Sequence, residues 1–236
     1  MNPLSYIDVD NLYPESDGQP MAENTEQYDW LVKIKENLEV LFASDPNVFI
    51  AADLLWYPVA DRHETEPVAP DVMIVFGRPK GYRGSYKQWE EDNIPPQVVF
   101  EILSPSNTAR AMEEKRCFYE RYGVEEYYVY NPASNKLRIW LRYQDKLQNT
   151  SYIGQWISPL LQIRFMVTKD TLKLFYPDGQ PFLTSVELAQ YARQEHDRAE
   201  QEYDRAEEER KRAEQEHERA ERLAKRLREL GVDPDA

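Results

Sequence analysis

The chain has 236 residues, of which 41% are hydrophobic and 31% are charged, and its formal net charge is −14. That length allows one domain with a sizeable core and an appendage. The negative charge argues against a general nucleic-acid coat protein, because affinity for nucleic acid comes largely from cations that meet phosphates. The single cysteine, Cys117, excludes an internal disulfide framework.

The composition and the first residues predict the cellular compartment of the protein. The start of the chain is polar and lacks the basic and apolar pattern of a signal peptide. No apolar stretch approaches the roughly 20 residues that a membrane-spanning helix needs. One cysteine suits a reducing environment. We therefore expect a cytoplasmic protein that does not contact a membrane.

The first predicted elements are an irregular arm and a helix. Residues 1–24 contain three prolines and no periodic pattern, so we predict an irregular N-terminal arm. From Thr25 the apolar residues recur at helical spacing, and Asp45, Pro46 and Asn47 end that helix. We assign residues 25–184 to one domain.

Three apolar runs then follow, and each contains or begins with one acid. Asp53 lies in the run 48–57, Asp71 opens the run 71–76, and Glu101 is the only charge in the run 98–103. The connections are rich in proline, glycine and charge, so these runs predict strands of one sheet. A buried carboxylate costs several kcal/mol unless it is paired, hydrogen-bonded or metal-bound. The acids therefore require an explanation.

A lysine lies on the helix that follows the Glu101 strand. The pattern after Thr108 is helical and ends at Gly123, a typical C-terminal stop. At about 100° per residue, Lys115 falls in the middle of the apolar stripe of this helix. We therefore predict that Lys115 approaches Glu101. The stripe consists of Ala111, Met112, Phe118, Tyr119 and Tyr122.

These residue types together suit phosphodiester hydrolysis. Two carboxylates at neighbouring strand ends can hold a hard divalent cation, Mg²⁺ or Mn²⁺. The metal lowers the pKa of a bound water and neutralises charge on a phosphate oxygen. A nearby ammonium orients the attacking water or stabilises the developing negative charge. The alternative is a set of structural ion pairs, although burying such pairs often brings no gain in stability.

Four motifs carry a resemblance to a known family. They are the pair Pro70-Asp71, the strand and turn Phe100–Ser106, Lys115, and the segment Tyr122–Tyr128 that leads into the next strand. With these motifs, residues 24–132 resemble the Uma-two family of predicted restriction endonucleases, a branch of the PD-(D/E)XK nuclease superfamily.

The resemblance implies an α+β fold with a restriction-endonuclease-like core, in which a central, four-stranded mixed sheet is flanked by helices. It also implies Asp71 and Glu101 as metal ligands and, with Lys115, as catalytic residues. Asp53, on the neighbouring strand, is a weaker candidate ligand. One position departs from the superfamily pattern, because Leu103 stands where the motif lysine is expected. Lys115 is the candidate for a lysine relocated to the adjacent helix.

The resemblance leaves one ligand open. Many such nucleases carry a further acid on the first helix, and here Glu26, Glu36 and Glu39 are all possible.

The loop 77–88 joins the Asp71 strand to the Glu101 strand and is locally basic. Cations interleaved with tyrosines on a glycine-rich loop could hold a nucleic-acid strand near the site. An ordinary solvated loop has the same composition. The candidate contacts are Arg78, Lys80, Arg83 and Lys87.

The rest of the chain predicts five strands and a charged helix. The strands are expected at 126–130, 137–143, 150–153, 163–167 and 172–175. Residues 185–230 form a charged, heptad-like helix with alanine every seven residues, and residues 231–236 are a tail. The weak heptad allows either a homodimer through this helix or a lone, solvated helix.

Three functions compete at this stage. The first is a metal-dependent endonuclease that acts on nucleic acid, with DNA favoured over RNA. The second is an inactive nucleic-acid-binding module on a nuclease fold, since a fold does not imply a function. The third is an assembly protein that acts through its C-terminal helix.

Overall fold

The structure is a computed structural model and describes residues 12–18 and 20–229. The predicted tail and the first eleven residues of the predicted arm lie outside this range. Within it, residues 12–18 and 20–24 contain no helix or strand. The chain divides into two compact units, one ending at Thr184 and one beginning at Ser185. Within the described ranges, every helix is too short or too polar to span a bilayer.

The described part of the first unit contains two α-helices, one short 3-10 helix (Gln88–Glu90) and eleven strands. The α-helices are α1 (Thr25–Leu41) and α2 (Ala109–Arg121). The strands are β1 (Val48–Ala52), β2 (Trp56–Tyr57), β3 (Val72–Phe76), β4 (Tyr86–Lys87), β5 (Val98–Ile102), β6 (Glu126–Asn131), β7 (Lys136–Tyr143), β8 (Lys146–Thr150), β9 (Gln155–Ile157), β10 (Arg164–Val167) and β11 (Leu172–Phe175).

The central sheet has six strands in the order β1-β3-β5-β6-β7-β8. All neighbours are antiparallel except β5 and β6, which run parallel, so the sheet is mixed. Four strands were expected, and β7 and β8 extend that set. Strands β9 to β11 form a separate three-stranded sheet, and β2 pairs with β4.

Both faces of the central sheet are covered. Alternate residues of a strand point to opposite faces. Val98, Phe100 and Ile102 pack with α1 and the three-stranded sheet on the α1 face. Val99 and Tyr127 pack with α2 on the opposite, α2 face. Burial on both sides explains why these strands read as continuous apolar runs. The predicted α+β class, with a mixed sheet flanked by helices, is confirmed.

Helix ends follow local capping rules. The Asn24 side chain accepts a hydrogen bond from the Gln27 amide at 2.8 Å and begins α1. Thr108 caps α2 in the same way at the amide of Ala111, 3.1 Å away. Gly123, with φ of +97°, follows the end of α2, because glycine adopts this left-handed conformation without a Cβ clash. These residues fix where each helix begins or ends.

Two strand predictions were wrong in detail. The run 48–57 splits into β1 and β2, and Asp53 lies at the break with φ of +49°, a region that Asp tolerates better than most residues. The strand expected at 150–153 is replaced by β8, which ends at Thr150, and by β9, which begins at Gln155. Strands as short as these have too few residues for a periodic pattern to be recognised.

The second unit contains the charged helix α3, Ser185–Glu229, as one uninterrupted element of 45 residues. Its described side chains are almost all exposed. Pairs such as Lys211 and Glu207, with Nζ and Oε1 2.9 Å apart, connect successive turns. The predicted long C-terminal helix is confirmed.

Candidate active site

Asp71 and Glu101 are brought together by the register of β3 and β5. The two strands are antiparallel, and Val72 is the partner of Phe100. Continuing this register by one residue places Asp71 opposite Glu101, at a position where facing Cβ atoms are about 4.5–5.5 Å apart. Glu101 shares the parity of Val99 and so points to the α2 face. Both acids are buried, with Glu101 only 3% exposed.

The charge of Glu101 is met by two residues of α2. The Lys115 Nζ lies 2.9 Å from Oε1 and 2.7 Å from Oε2 of Glu101. The Tyr119 hydroxyl donates to Oε1 at 2.5 Å. Residues four apart on a helix share one side, so α2 presents both donors to the same carboxylate. Lys115 also reaches the carbonyl oxygen of Ala69, 3.5 Å away.

Asp71 is held by a backbone amide and by a residue of α1. Its Oδ2 accepts a hydrogen bond from the Ile102 N–H at 2.5 Å. Gln27 also hydrogen-bonds the Asp71 side chain, and its Nε2 donates to the Ile102 carbonyl oxygen at 3.1 Å. Burial, followed by the negative charge of Glu101, raises the pKa of Asp71 to about 7. The ionised form of Asp71 is therefore disfavoured both by burial and by the second carboxylate.

Lys115 keeps its proton in this environment. Burial by itself would lower the pKa of Lys115, but the charges of Glu101 and Asp71 raise it above the ordinary value of a lysine. The ammonium is therefore a permanent positive charge at neutral pH and not a base.

Asp53 continues the row of acids by one strand, because β1 pairs with β3 through Ala52 and Val72. Burial and the charge of Asp17 raise its pKa. Within the part of the chain that the structure describes, no three His, Cys, Asp or Glu residues are arranged to hold a metal. The structure thus brings Asp71 and Glu101 together as a pair, and it does not assemble a triad with Asp53.

The chain was compared with models of known protein families. A family model described as "Uma2: Putative restriction endonuclease" matches residues 15–168, which is more than half of the chain. The chain belongs to this family. The match contains Asp71, Glu101 and Lys115. No curated protein matches the chain.

A solved structure is also similar to this chain. It is the crystal structure of a "putative nuclease belonging to DUF820" from Anabaena variabilis ATCC 29413. The TM-score is 0.44 at 12% sequence identity, and the match covers 61% of this chain and 79% of that one.

In this Uma2 chain, Leu103 occupies the position where the superfamily pattern has a lysine, and the structure shows what replaces that lysine. Leu103 is partly buried and packs in the apolar cluster of the α2 face. The lysine that contacts Glu101 comes instead from the middle of α2. The predicted approach of Lys115 to Glu101 is therefore seen in the structure.

The first-helix acids do not reach the site. Glu26 and Glu36 are exposed, and Glu39 pairs with Lys35 at 3.5 Å and with Lys80 at 3.3 Å. The residue of α1 that contacts the Asp71 carboxylate is Gln27, an amide. The sequence analysis missed Gln27 because it searched α1 for acids only. The available signal was spacing, because Gln27 continues the buried stripe of Leu31, Ile34 and Leu38 by one helical turn.

Glu23 is a second residue that the sequence analysis missed. Its carboxylate accepts hydrogen bonds from the hydroxyls of Ser104, at 2.6 Å, and Ser106. These two hydroxyls lower the pKa of Glu23. Glu23 thereby ties the turn that follows the Glu101 strand to the segment just before α1. The Ser-Pro-Ser motif of the family resemblance thus has a structural role here.

The four cations of the loop 77–88 are already paired. Each has a carboxylate within salt-bridge distance, so nucleic acid would have to displace an acid at every one of them. This pairing argues against the loop as a nucleic-acid contact. The pairs are Arg78 with Glu91 and Asp92, Arg83 with Glu91, Lys80 with Glu39, and Lys87 with Glu90.

Proposed function

We propose that the chain is a metal-dependent endonuclease that hydrolyses phosphodiester bonds of nucleic acid, with DNA as the favoured substrate. The observation that carries the proposal is the cluster of Asp71, Glu101 and Lys115, in which two buried carboxylates lie side by side with one ammonium. Membership of the Uma2 family supports a nuclease. The substrate is inferred from the family, and the metal and the residue roles are inferred from the family together with the chemistry of the cluster.

Asp71 and Glu101 fit a divalent cation, Mg²⁺ or Mn²⁺. Mg²⁺ takes oxygen ligands, keeps several waters and needs only one or two carboxylates. Burial and the negative charge of Glu101 raise the pKa of Asp71, and a bound cation would offset both. When bound, such a metal lowers the pKa of a water and neutralises charge on a phosphate oxygen. Asp53 remains a weaker candidate ligand.

The protein residues around the pair have separate roles in this proposal. Hydrolysis adds a water oxygen to phosphorus and breaks one P–O ester bond, and negative charge grows on the phosphoryl oxygens. Lys115 places a permanent positive charge beside them. Tyr119 holds the Glu101 carboxylate in its orientation, and Gln27 does the same for Asp71.

The direct test is cleavage of plasmid DNA with Mg²⁺ or Mn²⁺, and with EDTA as the metal-free condition. We expect Asp71→Asn, Glu101→Gln and Lys115→Met each to lower the cleavage rate by about 100-fold or more, because each removes charge from the reacting centre. The matched control is Glu126→Gln, another buried strand acid, which should cleave like the wild type. Cleavage that persists unchanged in Asp71→Asn and Glu101→Gln contradicts the proposal.

Metal binding provides a readout that does not depend on activity. Calorimetric titration with Mn²⁺ should give binding to the wild type and to Glu126→Gln, and loss of that binding in Asp71→Asn and Glu101→Gln. Wild-type protein that binds DNA but neither binds Mn²⁺ nor cleaves would favour the inactive binding module. DNA binding by such a module would not depend on Lys115.

We also propose that α3 joins two copies of the chain. The support is the heptad spacing of Ala199, Ala206, Ala213 and Ala220 on one uninterrupted and exposed helix. Light scattering should give twice the chain mass of 27.9 kDa. Ala206→Glu combined with Ala213→Glu should lower it to the monomer, because the new charges repel across the seam. A wild-type monomer contradicts the pairing.

A further inference from the structure

A cleft of about 270 Å³ lies on the α2 face beside the Asp71, Glu101 and Lys115 cluster. Leu103, which lines the cleft, is two residues beyond Glu101 on the same side of the chain. Met112, which also lines it, is one helical turn before Lys115. The cleft therefore borders the same two segments that carry the cluster, the end of β5 with the residues after it and the helix α2. Its volume is many times the space that one water needs.

The floor of the cleft is the strip where β6 pairs with β7, and one wall is the first half of α2. Along β7, alternate residues point to the α2 face. The cross-strand pairs of the floor are Tyr127 with Trp140, Val129 with Arg138, and Asn131 with Lys136.

The cleft contains cations that are free to bind an anion. Its charged lining consists of Glu113, Arg116, Lys136 and Arg138. The Arg116 guanidinium is 2.7 Å from Glu113. Among the described residues, however, neither Lys136 nor Arg138 has a carboxylate within salt-bridge distance. These two cations are two residues apart on one strand, about 7 Å, and their charge contrasts with the paired cations of the loop 77–88.

Tyr127, which lines the cleft, has a buried hydroxyl without a hydrogen-bond partner among the described residues. The residue is 1% exposed. Such buried polar groups are rare in native proteins, because leaving one unsatisfied costs free energy. Burial, followed by the charges of Glu101 and Asp71, raises the pKa of Tyr127 well above its ordinary value. The hydroxyl therefore keeps its proton, and its hydrogen-bonding capacity is unused among the described residues.

An aromatic surface completes the cleft. The rings of Trp140 and Tyr127 stack with centroids 5.1 Å apart and planes inclined by 28°. Clefts that hold a nucleic-acid strand combine cations for the backbone with aromatic rings for the bases. The cleft contains both, next to the proposed hydrolytic cluster.

We propose that this cleft binds the nucleic-acid strand adjacent to the phosphodiester that is cut, an inference that rests on the proposed nuclease function. Lys136 and Arg138 contact backbone phosphates, and the Tyr127 hydroxyl donates into the cleft. Trp140 provides the surface for a base. The site thereby supplies positive charge that the loop 77–88 does not offer.

The test measures binding separately from cleavage. A short, fluorescently labelled single-stranded DNA is titrated with full-length protein in EDTA, and anisotropy is followed at several salt concentrations. The test variant is Lys136→Ala with Arg138→Ala. The matched control is Lys169→Ala with Lys173→Ala, which removes two exposed cations elsewhere in the first unit.

We expect the cleft variant to bind roughly tenfold more weakly at about 50 mM salt. The slope of log K against log salt should become less steep by about 1.4, which corresponds to two lost phosphate contacts on a single strand. The control should match the wild type in both. Equal affinity and equal slope for the cleft variant and the control overturn the proposal.

Tyr127→Phe tests the hydroxyl without changing charge. We expect a several-fold loss of oligonucleotide affinity and no loss of thermal stability, because the hydroxyl has no internal partner to lose. Wild-type affinity in Tyr127→Phe overturns the role of the hydroxyl, and so does a clear fall in melting temperature.

The two proposals fail in different ways. If Asp71→Asn abolishes cleavage while the cleft variant binds and cleaves like the wild type, the cleft proposal falls and the nuclease stands. If the cleft variant loses binding but no preparation cleaves DNA, the nuclease falls and the cleft remains a nucleic-acid site.

Discussion

Each face of the central sheet contains a buried glutamate, and the two glutamates are held in different ways. Glu126, on β6, has the strand parity of the α1 face. It accepts hydrogen bonds from the hydroxyls of Tyr128 at 2.7 Å and Ser158 at 2.5 Å, and from the Leu160 amide at 2.7 Å. All of these donors are neutral. Glu101, on the neighbouring β5, faces the ammonium of Lys115 and lies opposite a second acid, Asp71.

The difference shows which surroundings of a buried acid indicate a catalytic or metal-binding site. Glu126 ties β6 to the segment between β9 and β10, and its donors account for its burial. Asp71 beside Glu101 adds like-charge repulsion that packing does not require, and Lys115 offsets only part of it. A buried acid by itself is therefore a weak indication of a site. A second acid and a cation on the same face are a stronger one.

The largest effect should come from breaking the pair of Glu101 and Lys115. Lys115→Met leaves Glu101 buried without its cation and should lower the free energy of unfolding by about 3 kcal/mol. That is the low end for a buried pair, because the Lys115 side chain is 29% exposed. Adding Glu101→Gln to Lys115→Met should recover much of the loss. Urea denaturation of the two single variants and the double variant measures the coupling energy between Glu101 and Lys115. Strictly additive changes in unfolding free energy would contradict the predicted coupling.

A smaller effect should separate two tyrosines of the α2 face. The Tyr119 hydroxyl donates to the charged Glu101, so Tyr119→Phe should lower the free energy of unfolding by about 2 kcal/mol. The hydroxyl of Tyr127 has no described partner, so Tyr127→Phe should cost nothing. Denaturation of the two variants under one set of conditions checks the contrast. Equal losses of unfolding free energy in the two variants would show that the Tyr119 hydroxyl stabilises the protein no more than the Tyr127 hydroxyl does.

The smallest effect concerns Glu126 and pH. Burial raises the pKa of Glu126 above 4.5, so the folded protein keeps this proton to higher pH than the unfolded chain does. The free energy of unfolding that Glu126 contributes therefore falls as the pH rises from 4.5 through the folded pKa.

Glu126→Gln removes that dependence. The stability of this variant relative to the wild type should improve as the pH rises from about 4 to about 8. Chemical denaturation across this range measures the difference. If the stability difference between the variant and the wild type did not change with pH, the pKa of Glu126 would be the same in the folded and unfolded protein, against this prediction.

Much of the site could be predicted from local patterns. An acid isolated in an apolar run identified Glu101 as a buried strand residue, an acid opening another run identified Asp71, and the helical stripe placed Lys115 toward the sheet. The turn and stop residues identified the helices and the longer strands. The cleft next to the site was not predicted, because Lys136, Arg138 and Tyr127 belong to strands whose sequence indicates no binding.

Local periodicity specified which residues share a face, since side-chain direction in a strand or helix depends on backbone geometry alone. Tertiary structure decided the rest. The order β1-β3-β5-β6 places Asp71 against Glu101, the position of α1 brings Gln27 to Asp71, and α1 also brings Glu39 to Lys80 of the loop 77–88. These outcomes depend on strand neighbours and on packing between residues far apart in the chain, which no local pattern encodes.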